Sequence, residues 1–142
     1  PLTFIMGDDV ALDGTFGDQL ALLKSGSTRD SIQISHSDRG AMVNRFFNTD
    51  AFVPTNQVQR GIYGNAGRGL ISGPALNTSD FSIIKDFLFR EPYKLQFRSE
   101  FFNAFNQVNF TSVGTTVTSG AFGRVRAASE GRVIQFALKF LW

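Results

Sequence analysis

At 142 residues, with sixteen phenylalanines and no cysteine, the chain has the length of a single domain and cannot form a disulfide framework or a thiolate metal site. Fourteen basic against twelve acidic residues leave a net charge of +2, without the clustered Lys and Arg of a nucleic-acid footprint, so nucleic acid is excluded as a partner. Nowhere does an apolar run reach the roughly 18 residues of a membrane-spanning helix, whereas strands that cross a bilayer in a barrel alternate and look only half apolar.

Up to Pro74 the turn formers Gly, Asp, Asn and Ser recur every few residues, in GDDVALDGTFGD, KSGSTRDS, SHSDRG and YGNAGRGLISGP, leaving little room for long regular elements. Residues 1–76 therefore read as a loop-rich segment. Within it the pattern predicts the end of a strand over Leu2 to Met6, a helical turn at Gln19 to Leu23, and a short turn at Arg45 to Val53 carrying Phe46, Phe47 and Phe52. A loop-rich stretch of this size needs a job or a packing partner. The chain starts at Pro1 without an initiator Met or a signal peptide, which reads as a processed product or a piece of something longer.

Residues 77–142 have a different texture. Asn77 to Phe89 is strand-like, with Phe81, Ile83 and Phe87 on one face and Asp80, Ser82 and Asp86 on the other. Arg90, Glu91 and Pro92 form a tight turn, since proline fixes its own φ and donates to no ladder. From Tyr93 to Phe105 the alternation is clearest: Tyr93, Leu95, Phe97 and Phe101 face one way, and Lys94, Gln96, Arg98 and Glu100 the other. A period of two over this length is strand. An Asn-, Thr- and Gly-rich connection follows from Asn103 to Gly120, then a strand from about Phe122 to Arg126, a turn at Ser129 to Gly131, and a terminal strand. That last strand, RVIQFALKFLW, sets Ile134, Phe136, Leu138, Phe140 and Trp142 against Gln135, Ala137 and Lys139. The predicted fold class is all-β, an antiparallel meander of four to five long barrel-type strands preceded by the loop-rich segment. Elements of about a dozen residues are long for a soluble sandwich and suit the ~25 Å apolar band of an outer-membrane barrel. Aromatic residues at the strand ends, Tyr93, Phe101 and Trp142, fall where interfacial girdles lie.

Three stretches invite sharper chemistry. SHSD, Ser35 to Asp38, holds a serine, the only histidine and an aspartate, but triad members converge from distant positions, so a solvated loop is the better reading and no enzyme activity is expected. GNAGRG, Gly64 to Gly69, lacks the preceding apolar strand and following helix of a phosphate loop and reads as tight turns. Asp8, Asp9, Asp13 and Asp18 lie among glycines, a composition hospitable to Ca²⁺. Their spacing misses the EF-hand pattern, which favours Asx-type turns and no cofactor. The sequons at Asn77 and Asn109 read as chance matches.

The block YGNAGRGLISGPALNTSDFSIIKDFLFREPYKLQFRSEFFNAFNQVNF, followed by FGRV, the turn ASEGR and the ending IQFALKFLW, closely resembles the C-terminal end of TonB-dependent outer-membrane receptors, of the acidobacterial type that carries a carboxypeptidase-regulatory-like domain. PLTFIMGDD, LDGTFGDQ and NRFFNTDAFVP resemble the long extracellular loops between late strands of such barrels. The resemblance implies a location at the bacterial outer membrane or the extracellular surface. It makes Ile134, Phe136, Leu138, Phe140 and Trp142 a signal read by the insertion machinery as well as a lipid-facing stripe. It also implies that Phe81, Ile83, Phe87, Tyr93, Leu95, Phe97 and Phe101 face lipid or another sheet. Four or five strands cannot close a barrel, which takes about eight, and an unpaired edge inside lipid costs several kcal/mol per orphaned group. The expected partners are accordingly the remaining barrel strands, or other copies of the chain paired edge to edge in an oligomer or filament.

Overall fold

The structure, a computed structural model, describes residues 1–15, 19–36 and 38–142. Contacts divide it into two compact units, Pro1–Pro74 with Phe110–Ala128, and Ala75–Asn109 with Ser129–Trp142.

In the second unit the alternating segments form strands β1 (Phe81–Arg90) and β2 (Tyr93–Phe102), joined by a tight turn at Glu91 and the cis-linked Pro92. In the first unit short strands β3 (Phe110–Val113) and β4 (Val125–Ala128) make a hairpin. The terminal strand β5 (Val133–Leu141) returns to the second unit and pairs antiparallel with β2. The long sheet is therefore three-stranded, in the order β1-β2-β5, and it is open, with β1 and β5 as its edges.

The all-β class and the antiparallel, meander-like order are as the alternation predicts, with corrections to the elements. The long strands hold nine or ten residues rather than a dozen, because asparagine and aspartate side chains take over the backbone bonding at one end. Asn109 Oδ1 accepts from Asn77 N–H at 2.8 Å while its Nδ2 donates to Asn77 C=O at 2.9 Å. Asn103 bonds the backbone of Gln107 in the same two-way fashion, and its own N–H donates to Asp80 Oδ1. Second, the strand expected at Phe122 to Arg126 lies at 125–128 and stays out of the long sheet, because its ladder partner is Phe110–Val113 inside the supposed connection. Third, Gln19 to Leu23 is extended, not a helical turn: Ala21 N–H donates to Phe4 C=O, and Ala66 N–H donates to Ala21 C=O.

Leu2 to Met6 makes isolated bridges at Leu2 and Ile5 rather than a strand. The stretch from Arg45 to Val53 does hold the expected short turn, a 3₁₀ turn over Thr49–Ala51. Two short helices, α1 (Arg29–Ile32) and α2 (Arg39–Asn44), and a 3₁₀ turn at Thr55–Gln57 occupy stretches read as loop. The two helices form where Thr28 and Asp38 accept from backbone N–H groups of the first turn, as N-caps do. No helix among the described residues is long and apolar enough to cross a membrane.

The first unit has a core of its own, to which both the loop-rich segment and Phe110–Ala128 contribute. Phe4, Phe47, Phe52, Ile32 and Ile71 are buried to 2 % exposure or less, with Ala21, Ala66 and Val113 around them. Phe4 lies 4.8 Å from both Phe47 and Phe52, and Phe122 meets Phe47 at 5.1 Å and Phe52 at 5.2 Å, in tilted or edge-on geometry. Such pairs add about 0.5–1.5 kcal/mol each to the area they bury.

Candidate functional site: the two faces of the long sheet

Cross-strand partners share a face, so register decides which side chains stand together. Phe81 pairs with Phe101 and Phe101 with Ile134; Ile83 with Ser99 and Ser99 with Phe136; Lys85 with Phe97 and Phe97 with Leu138; Phe87 with Leu95 and Leu95 with Phe140. Two sets of residues expected separately, Phe81, Ile83, Phe87, Tyr93, Leu95, Phe97 and Phe101 on one hairpin and Ile134, Phe136, Leu138, Phe140 and Trp142 on the terminal strand, thus occupy a single face. Much of it is exposed: Phe136 is 68 % exposed and Trp142 83 %. At one end Tyr93 stacks with Phe140 at 6.0 Å and Phe140 with Trp142 at 6.0 Å. At the other, Phe105 meets Phe81 edge-on at 5.8 Å.

Two polar residues interrupt this face, and neither was singled out from sequence. Lys85 stands in the middle row, its Nζ 6.0 Å from the centre of the Phe87 ring, and among the described residues it forms no ion pair. Ser99 is 4 % exposed, and its hydroxyl has no partner among the described residues. Both were legible, since Ser99 breaks the zigzag between Phe97 and Phe101, and Lys85 breaks it between Ile83 and Phe87.

The opposite face carries the ion pairs. Lys94 Nζ meets Asp86 at 2.7 Å across β1 and β2, and Gln96 Nε2 donates to the same carboxylate at 2.9 Å. Arg98 pairs with Glu100 two residues along its own strand. Gln135 stands opposite Glu100, and Lys139 opposite Gln96. Ile84 and Leu88 share this face on β1, exposed.

The other candidate stretches have structural occupations. His36 Nε2 lies 3.0 Å from Phe46 C=O, and Asp38 Oδ2 accepts from Ala41 N–H to cap α2; Ser37 lies outside the described residues. The bonds from Ala41 N–H first and Gly40 N–H second hold the Asp38 carboxyl below the ordinary aspartate range. Gly64 allows the chain to lie against Leu20, whose carbonyl a Cβ would overlap, and Gly69 adopts a φ of +66°.

Asp9 and Asp13 spend their oxygens within the loop. Asp9 accepts from Asp13 N–H, Gly14 N–H and Gln19 Nε2, and Asp13 from Thr15 and Gln19. The Thr15 hydroxyl, then its N–H, holds the Asp13 carboxyl below its ordinary range. Asp18, the fourth member of the acidic set, lies outside the described residues. Among the described residues no three acidic or histidine side chains gather to hold a metal.

A family model described as an outer membrane beta barrel domain matches residues 1–135. No curated protein and no solved structure matches the chain.

Proposed function

The chain belongs to the outer membrane β-barrel domain family, and from that premise we propose that it supplies late strands and extracellular loops of a barrel resembling a TonB-dependent receptor, with no catalytic chemistry of its own. Membership places it at the outer membrane. The observation that carries the finer reading is the sorting of side chains across the long sheet. Three antiparallel strands of nine or ten residues put most of their aromatic residues on one face and their ion pairs on the other, the lipid-facing and lumen-facing alternation of a membrane barrel. At about 3.3 Å per residue and a tilt near 45°, such strands rise roughly 21–23 Å, close to the ~25 Å apolar band.

Connectivity supports an orientation. The sheet turns at Glu91 and Pro92 at one end, while the segments before β1 and between β2 and β5 leave from the other end. Barrels of this kind keep short turns on the periplasmic side and long loops outside. On that rule Tyr93, Phe140 and Trp142 form a periplasmic girdle, and residues 1–74 and 103–132 belong to the extracellular side.

The test uses Trp142, the sole tryptophan. The full chain refolded into vesicles should show blue-shifted Trp142 emission, quenched more by bromine labels near the headgroups than by labels near the acyl-chain ends. Red, unquenched emission, with the same strand signal in plain buffer, would contradict the proposal. A second reading, a β-rich extracellular assembly of many copies, draws on the open edges of β1 and β5. It requires assembly without detergent or lipid and a helical repeat in micrographs.

A further inference from the structure

We infer that the two open edges are not equivalent: β5 accepts a second copy of this chain in a two-fold pairing, β1 rejects one, and the isolated chain therefore stops at a dimer. The inference rests on register and charge and is independent of the receptor reading.

Because β2 runs antiparallel to both β1 and β5, the two edge strands run parallel to each other. Copies joined head to tail, β5 to β1, with their apolar faces on the same side would meet at a parallel seam, slightly weaker per residue than an antiparallel one. Antiparallel pairing needs like edges, β1 with β1 or β5 with β5, about a two-fold axis normal to the sheet.

At the β1 edge, keeping the apolar faces together allows only registers that pair residues of the same face. The two longest bring Lys85 opposite Lys85, or Asp86 opposite Asp86. Like charges directly opposite are destabilising, and a lysine on an edge strand is a known device against self-pairing.

At the β5 edge the longest such register places Ala137 opposite Ala137, Phe136 opposite Leu138, Ile134 opposite Phe140, and Gln135 opposite Lys139. Each apolar residue meets an apolar one, and the one charge, Lys139, meets an amide. The product is a continuous six-stranded sheet, β1-β2-β5-β5-β2-β1, with the two Lys85-bearing strands outermost.

The chain has no cysteine, so introduced thiols report cleanly. In detergent micelles light scattering should give the wild-type chain twice the monomer mass. Under copper-phenanthroline oxidation Ala137→Cys should link into a disulfide dimer, while Gln135→Cys and Lys139→Cys link only when mixed. A mixture of Ser82→Cys and Leu88→Cys, which the Lys85-against-Lys85 register would join, should stay unlinked. Lys85→Leu should shift the dimer to larger species. A monomeric wild type overturns the inference, as does an Ala137→Cys chain that does not link, or a Ser82/Leu88 mixture that links as readily as Ala137→Cys. None of these results bears on the lipid quenching of Trp142, so failure here is distinguishable from failure of the barrel reading.

Discussion

Single side chains decide where this fold starts and stops its strands. Asn109 is 3 % exposed and satisfies both backbone groups of Asn77. Asn109→Ala would remove both bonds; Asn77 itself is exposed, so water takes up its freed groups and the expected cost is the net value of about 0.5–1.5 kcal/mol per bond. Asn109→Asp should also destabilise, because the carboxylate keeps the acceptor and loses the donor. Denaturant unfolding of the two variants checks this. Asp38 gives a pH-dependent counterpart. Its carboxyl is held below the ordinary range by the α2 N–H groups, so its contribution is fully present above about pH 4 and is lost as pH falls through the folded value. Amide shifts of Arg39–Asn44 should report fraying of α2 in acid; Asp38→Asn should remove the pH dependence while retaining a cap, and Asp38→Ala should remove the cap at every pH.

At the scale of elements, what was legible in the sequence was local. The alternation at Phe81 to Phe87, Tyr93 to Phe101 and Ile134 to Phe140 has a period of two regardless of what lies beside it, and the strands stand where that pattern predicts. Gln19 to Leu23 was misread because its extended form depends on bonding partners at Phe4 and Ala66, which no local pattern announces. The short strand near Val125 was visible, but its choice of Phe110–Val113 over the long sheet depends on tertiary contacts. The sorting of the two faces yields a paired prediction. Leu138→Arg, in the middle row of the apolar face, should cost about 2–4 kcal/mol in a bilayer, whereas Ala137→Arg on the charged face should cost far less. Lipid-vesicle refolding titrations measure both. In the other unit Phe47→Ala removes a fully buried ring that meets Phe4, Phe52 and Phe122. It should cost about 3–5 kcal/mol, read as loss of near-UV aromatic ellipticity.

For the whole molecule, the chain solves its two halves differently. The loop-rich unit buries a phenylalanine cluster of its own, while the long sheet leaves Phe81, Phe87, Phe136, Phe140 and Trp142 exposed and, among the described residues, both edge ladders open. Exposed aromatic rows of this extent are unfavourable in water and suit a lipid environment, and the open edges call for further strands. A lysine in the middle row of a lipid face is itself costly, which fits a role for Lys85 in excluding the wrong edge partner. The most direct test of the central claim is spin-label accessibility along β5, one cysteine at a time from Val133 to Leu141, in the full chain reconstituted into vesicles. Contact with dissolved oxygen should peak at 134, 136, 138 and 140, and contact with a water-soluble nickel chelate at 135, 137 and 139. A profile without that two-residue period, or with every site open to the nickel reagent, would contradict the assignment of this sheet to the membrane.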